Sequence, residues 1–304
     1  MFVLKLTRSG LFLIPMLACA LLISAPAMIL AQEAAQPARN FVAPIEKSKP
    51  QQVKHELILE ARLTEKGKSI EKGLLWRIFS ARENSGGKLN IIGSGQGGTT
   101  AFLLPAGSYM VHASFGRAGA TKRVTLARGG GLQTFVLNAG GLKLNAYAGK
   151  RKISNPKLKF AIYAQSEGDN GKPNAIARNV SADKIVRLNA GTYHVVSEYG
   201  DINASVRADL RVTAGKLTEV TLQHRAAKIT LKLVSETGGE AIADTAWSIV
   251  SDQGAVVKES NKTFPTMILA SGDYTALARN GGEVFTRDFT VKEGGDGDVE
   301  VVAK

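Results

Sequence analysis

The chain has 304 residues, with 39 Lys+Arg against 26 Asp+Glu for a formal charge of +13. Hydrophobic residues at 44% exclude a wholly disordered chain, and 32 glycines without a triplet period exclude collagen. One cysteine excludes a disulfide framework or a cysteine-based zinc module.

Residues 1–31 read as a secretory signal peptide. Lys5 and Arg8 form a basic start, Leu11 to Leu30 is almost entirely apolar, and small residues around Ala31 suit cleavage there. An uncleaved anchor is the rival reading, since about 20 apolar residues can span a bilayer. Pro15, Ser24 and Pro26 make a poor spanning helix. Cys19 lies within the apolar run and reads as part of it, which leaves the mature chain without cysteine. Export places the chain in the periplasm, with an extracellular location as the alternative. Residues 32–54, rich in Gln, Ala, Pro and Lys, read as a disordered linker.

An internal repeat organises the rest. Leu104-Pro105-Ala106-Gly107-Ser108-Tyr109 recurs as Leu188-Asn189-Ala190-Gly191-Thr192-Tyr193 and as Leu269-Ala270-Ser271-Gly272-Asp273-Tyr274, with tyrosines 84 and 81 residues apart. Upstream, Trp76, Phe160 and Trp247 recur at spacings of 84 and 87. Two landmarks at nearly one period imply three units, at 55–140, 141–224 and 225–304. Period-two stretches such as Leu57 to Leu63 and Ile229 to Val234 are expected strands. Ser85-Gly86-Gly87, Asp169-Asn170-Gly171 and Gly238-Gly239 are turn signals, and no window offers a convincing amphipathic helix. The fold class is therefore all-β, three tandem antiparallel sandwiches of roughly seven strands each. Trp76, Phe160 and Trp247 are expected between the sheets of their units. Tyr109, Tyr193 and Tyr274 are expected as corner tyrosines, each hydroxyl returning to nearby backbone.

The Leu-Pro-Ala-Gly-x-Tyr corner followed by a valine-rich strand resembles bacterial prealbumin-like sandwich domains, among them the carboxypeptidase-regulatory-like and collagen-adhesin B-type repeats. The resemblance covers roughly residues 54 to 304, and the third copy departs from it by lacking the proline. It implies an Ig-like or prealbumin-like spacer or envelope module rather than a catalyst.

Charge is unevenly spread. Residues 84–166 contain no Asp or Glu and eleven Lys or Arg, while 32–83 and 167–304 carry +3 and −3. The window thus accounts for the whole excess of the chain beyond residue 31. Arg117, Lys122, Arg123 and Arg128 flank the end of the first unit, and Lys150-Arg151-Lys152 reads as an exposed hairpin tip. These seven are the candidate anion-binding residues, and all of them but Arg128 are expected to gather on one side near the first junction; the alternative is a merely solvated face. Lys122 and Arg123 cannot share a face within a regular strand. Anionic lipids, envelope polymers or an envelope protein are the expected partners. Nucleic acid is not, because no nucleic-acid motif occurs.

Other motifs fall short of chemistry. Gly93-Ser94-Gly95-Gln96-Gly97-Gly98 fits G-x-G-x-x-G, yet no helix and no acid before Glu167 follow it, so it reads as a glycine-rich hairpin loop. Gly67-Lys68-Ser69 has Arg62 where a phosphate loop needs glycine. His55, His112, His194 and His224 are too far apart in sequence for a paired ligand motif. Asp296, Asp298 and Glu300 are a weak calcium pattern, more consistent with a hairpin. No catalytic site, cofactor or metal is expected. The reading is a non-catalytic structural or interaction protein of the bacterial envelope whose basic segment engages anionic material. The alternative is an accessory ligand- or peptide-binding module of a larger envelope assembly.

Overall fold

The computed structural model describes residues 52–84, 86–154, 156–167 and 173–304. The signal segment, Cys19, all but the last residues of the linker and the Asp169-Asn170-Gly171 turn lie outside the described residues. Among those described, every element is a strand.

The first sandwich contains β1 (Lys54–Arg62), β2 (Leu74–Glu83), β3 (Leu89–Gly97), β4 (Thr100–Pro105), β5 (Gly107–Phe115), β6 (Ala118–Leu126) and β7 (Gly131–Val136). The second contains β8 (Ala139–Ala148), β9 (Arg151–Lys152), β10 (Leu158–Glu167), β11 (Pro173–Val180), β12 (Ile185–Asn189), β13 (Gly191–Tyr199), β14 (Ser205–Val212) and β15 (Leu217–His224). The third contains β16 (Ala226–Val234), β17 (Ala246–Ser251), β18 (Val256–Ser260), β19 (Thr266–Ala270), β20 (Gly272–Asn280), β21 (Glu283–Val291) and β22 (Gly297–Val302).

Each sandwich packs a sheet with a three-stranded path against a four-stranded one, and in the second the short β9 adds to that first sheet by pairing with β8. The orders are β4-β1-β7 with β3-β2-β5-β6, β12-β8-β15 with β11-β10-β13-β14, and β19-β16-β22 with β18-β17-β20-β21. Alternation along β5, with Tyr109, Val111 and Ala113 buried and the intervening residues more exposed, shows why period two dictates a half-buried strand. The sheets are antiparallel except at one place in each sandwich. There the first and last strands run parallel: β1 beside β7, β8 beside β15 and β16 beside β22. Alternation alone does not disclose this pairing, because it reports which face is buried and not which strand lies alongside.

The aromatic landmarks occupy the interiors. Trp76, Phe160 and Trp247 are all essentially buried. Trp76 meets Phe135 edge-on at 5.3 Å and donates from Nε1 to the Gly98 carbonyl at 2.9 Å. A side chain at Gly98 would collide with the Glu71 carbonyl, 2.3 Å from an added Cβ. The glycine-rich motif is thus mostly strand β3, with Gly98 in the turn before β4, and of its glycines Gly95 and Gly98 serve close packing. At each corner one residue separates a strand of one sheet from a strand of the other. The tyrosine two residues into the second strand donates to the last carbonyl of the first. Tyr109 reaches Pro105 at 2.6 Å, Tyr193 reaches Asn189 at 2.8 Å and Tyr274 reaches Ala270 at 3.0 Å.

Successive sandwiches are joined by Leu137-Asn138 and by Arg225 alone, so one sandwich begins almost where the previous one ends. Their contact is built twice from equivalent positions. At the first junction the β5–β6 turn seats on β12. A Cβ on Gly116 would lie 3.0 Å from Arg187 Cβ, and the Arg187 guanidinium lies 4.3 Å over the Phe115 ring. Asn189 Oδ1 accepts from Gly119 N at 3.2 Å, and its Nδ2 donates to the carbonyls of Gly119 and Leu137 at 3.1 and 2.7 Å. At the second junction the β13–β14 turn seats on β19, with Gly200 against Ile268 at the same 3.0 Å. The asparagine has changed sides: Asn203 Oδ1 accepts from Ala270 N at 2.9 Å and its Nδ2 donates to the Tyr274 hydroxyl at 2.8 Å. Ile268 is buried with the core of the second sandwich, and Ile202 packs against the core of the third. Through these contacts Gln51–Lys304 makes one compact unit.

Candidate anion-binding face

On the four-stranded sheet of the first sandwich, burying Trp76 and Ile78 of β2 and Val111 and Ala113 of β5 turns Arg77 and His112 outward. Register then sets Arg77 beside His112 and His112 beside Thr121 of β6. Arg123, two residues beyond Thr121, shares that face, and Arg117 occupies the adjoining β5–β6 turn. A groove of about 590 Å³ at this end is lined by Arg77, His112, Ser114, Arg117 and Thr121, with Asn189 of the next sandwich closing it, and no carboxylate faces it. His112 Nδ1 lies 2.8 Å from Thr121 Oγ1. Burial, and secondarily the charge of Arg77, lowers its pKa, so the imidazole is neutral at neutral pH and offers polarity rather than charge. Among the described residues Arg77, Arg117 and Arg123 form no ion pair. Three guanidiniums on one unopposed face can take a phosphate or carboxylate by forked hydrogen bonds.

The seven expected residues do not form one patch. Arg117 and Arg123 belong to this face. Lys122 points to the other side, sharing the face of the buried Val124 and Leu126 on the edge strand. Its Nζ lies 3.4 Å from Gln133 Oε1 and 6.0 Å from the centre of the Phe135 ring. Arg128 is exposed in the turn between β6 and β7. Lys150-Arg151-Lys152 form the turn and short strand of the β8–β9 hairpin, at the second junction rather than the first. Arg151 pairs with Asp296 at 2.6 Å and Lys152 with Asp183 at 2.8 Å, while Gly149 N donates to Glu293 at 3.2 Å. Acids remote in sequence thus offset much of that cluster's charge, an arrangement the local acid-free window conceals.

Arg77 was missed by sequence reasoning because it lies outside the acid-free window. Alternation in Trp76-Arg77-Ile78 does turn it outward, but only the β2–β5 register brings it beside His112. The equivalent outer faces of the other sandwiches are less basic. His194 meets Asp209 at 2.9 Å in the second. In the third, Asp288 and Asp273 accept from Thr275 and Thr290 at 2.6 Å each.

Other candidates have structural partners. Asp296 also accepts from Lys228 N at 2.8 Å, Asp298 pairs with Lys232 at 2.6 Å, and Glu300 accepts from Gly238 N at 3.0 Å. Their carboxylates are spread among these contacts. No group of three or more metal-ligating side chains occurs among the described residues. His224 and Ser197 are buried together, Nε2 to Oγ 2.8 Å, with Tyr199 edge-on to the imidazole at 5.8 Å. Burial pushes the His224 pKa down to about 4. A serine and histidine sealed inside a core present no nucleophile to a substrate.

Residues 228–303 match the Rhizobiales growth-associated tandem repeat domain. The match coincides with the third sandwich and covers about a quarter of the chain. No curated protein matches. Among solved structures, the chain is similar to the minor pilin GBS52 of Streptococcus agalactiae, with 14% identity, 56% of this chain and 95% of that one covered, and a TM-score of 0.29. It is also similar to a streptococcal ancillary pilin, at 9% identity, 83% and 99% coverage and a TM-score of 0.28. The Bacillus anthracis TIE protein gives 16% identity and a TM-score of 0.23 over 83% of this chain, which spans half the length of that protein. Likeness at these scores carries no functional argument.

Proposed function

We propose that the chain is an exported, non-catalytic structural and interaction protein of the bacterial cell envelope, whose first sandwich presents a basic face to anionic envelope material. The observation that carries this reading is the groove without carboxylates that Arg77 and Arg117 line, with Arg123 further along the same sheet face. Repeated sandwiches with closely packed junctions supply a spacer that holds such a face at a defined position. The face lies on the first sandwich beside its junction with the second, so attachment would engage one side of the row near that junction.

Adsorption of the full chain to vesicles of mixed neutral and anionic lipid, and separately to purified peptidoglycan, tests this. The two arms distinguish lipid phosphate from polymer carboxylate. Changing Arg77, Arg117 and Arg123 together to Glu should abolish adsorption at low salt. The same change at Lys150, Arg151 and Lys152 should leave most of it. At about 0.15 M salt, where screening acts over roughly 8 Å, parent adsorption should weaken. Equal adsorption of the Arg77/Arg117/Arg123 variant and the parent to both surfaces at low salt would overturn the reading.

A further inference from the structure

Among the described residues, the two internal junctions leave one half without a partner at each end of the row. The third sandwich carries the same turn that docks at both junctions, here Gly281-Gly282 between β20 and β21. Nothing lies within 4 Å of where a Cβ on either glycine would sit. Val284, at the position of Gly119, is 50% exposed. The first sandwich carries the same receiving strand, β4, with Leu103 at the position of Arg187 and Ile268 and Pro105 at that of Asn189 and Ala270. Leu103 is 66% exposed, whereas its counterpart Ile268 is 2% exposed beneath the preceding sandwich. Val53, at the position of the connector residues Asn138 and Arg225, is 73% exposed. The two most exposed large apolar side chains among the described residues therefore stand where the other sandwiches meet their neighbours.

We propose that the β20–β21 turn of one copy docks on β4 of a second copy, so that the chain associates head to tail through a third version of its own internal junction. Gly281-Gly282 would sit against Leu103, as Gly116 sits against Arg187 and Gly200 against Ile268. Val284 would meet Pro105. The first internal junction matches its pair at this position, Gly119 with the Asn189 amide, and the second bonds the Ala270 backbone through Asn203 of its longer β13–β14 turn. The open ends offer an apolar pair, which needs no hydrogen-bond partner and gains by leaving water. Because the two halves differ, the contact is heterologous and leaves a free half at each end, so association continues past the dimer, as an open row or, where the rotation closes, a ring. The proposal is independent of the basic face, which lies on a sheet face rather than at either end.

Sedimentation velocity of the full chain, from low micromolar to several hundred micromolar, tests it. The mean sedimentation coefficient should climb without levelling at a dimer. Leu103→Glu and Val284→Glu should each associate about tenfold or more weakly, a loss of roughly one decade in equilibrium constant. An equimolar mixture of the two should form a dimer and stop there, since each variant retains one intact end. Both substitutions are at exposed positions, and circular dichroism checks the fold. If either variant fails to fold, Leu103→Gln and Val284→Gln take their places. A monomeric parent throughout, variants that associate like the parent, or a mixture that gives no dimer would overturn the proposal. So would a Leu103→Cys crosslink that joins β4 to residues 1–50 of the same chain in place of a second copy.

Discussion

Lowering the pH should loosen the second sandwich first, through His224. The imidazole is buried beside Ser197 and Tyr199, and burial holds its pKa at about 4 against an ordinary 6.5. The unfolded chain therefore binds a proton between those values that the folded chain refuses. The sign follows: with a depressed folded pKa, the neutral imidazole contributes fully above the unfolded value, and stability falls as pH drops from about 6.5 toward 4. Two and a half units at 1.36 kcal/mol each give a total of about 3 kcal/mol, of which about 2 kcal/mol is lost between pH 7 and pH 5. Urea unfolding at a series of pH values, compared with His224→Gln, measures it. The difference in slope isolates this group from carboxylates, whose titration lies mostly lower. The histidine ring resonances report its pKa directly. Matching slopes in parent and variant, or a ring that titrates near 6.5 in the folded protein, would refute the reasoning.

The other expectations concern corner and junction. Tyr193→Phe removes a hydroxyl that donates to the Asn189 carbonyl and should cost about 0.5–1.5 kcal/mol in urea unfolding; unchanged stability would count against a structural corner bond. Asn189→Ala removes three hydrogen bonds to the first sandwich and should cost about 1–3 kcal/mol. Hydrogen exchange should show the loss at Gly119 before it spreads, and protection there equal to the parent's would contradict the role given to this side chain.

Much of the architecture follows from local pattern. Period-two alternation marks the strands because a pleated chain with one buried face requires it. The tyrosine corners are legible because the hydroxyl returns only four residues, a distance that six residues of sequence can show. The repeat spacing likewise separates three units, since each must close its own core. The tertiary structure decided what joins residues that no local pattern relates. The parallel pairing of β1 with β7 depends on how the intervening strands wrap, and not on either strand's own residues. Arg77 joins Arg117 and Arg123 through register across β2, β5 and β6. Lys150-Arg151-Lys152 looked unopposed because their segment lacks acids, yet Asp296 reaches Arg151 from 145 residues away. The junctions are read the same way: Asn189 and Asn203 each occur once, on opposite sides of equivalent contacts, and only the packing of one sandwich on the next shows that they do the same work. Charge acts through space, so a window counted along the chain locates cations but leaves out the acids folded against them.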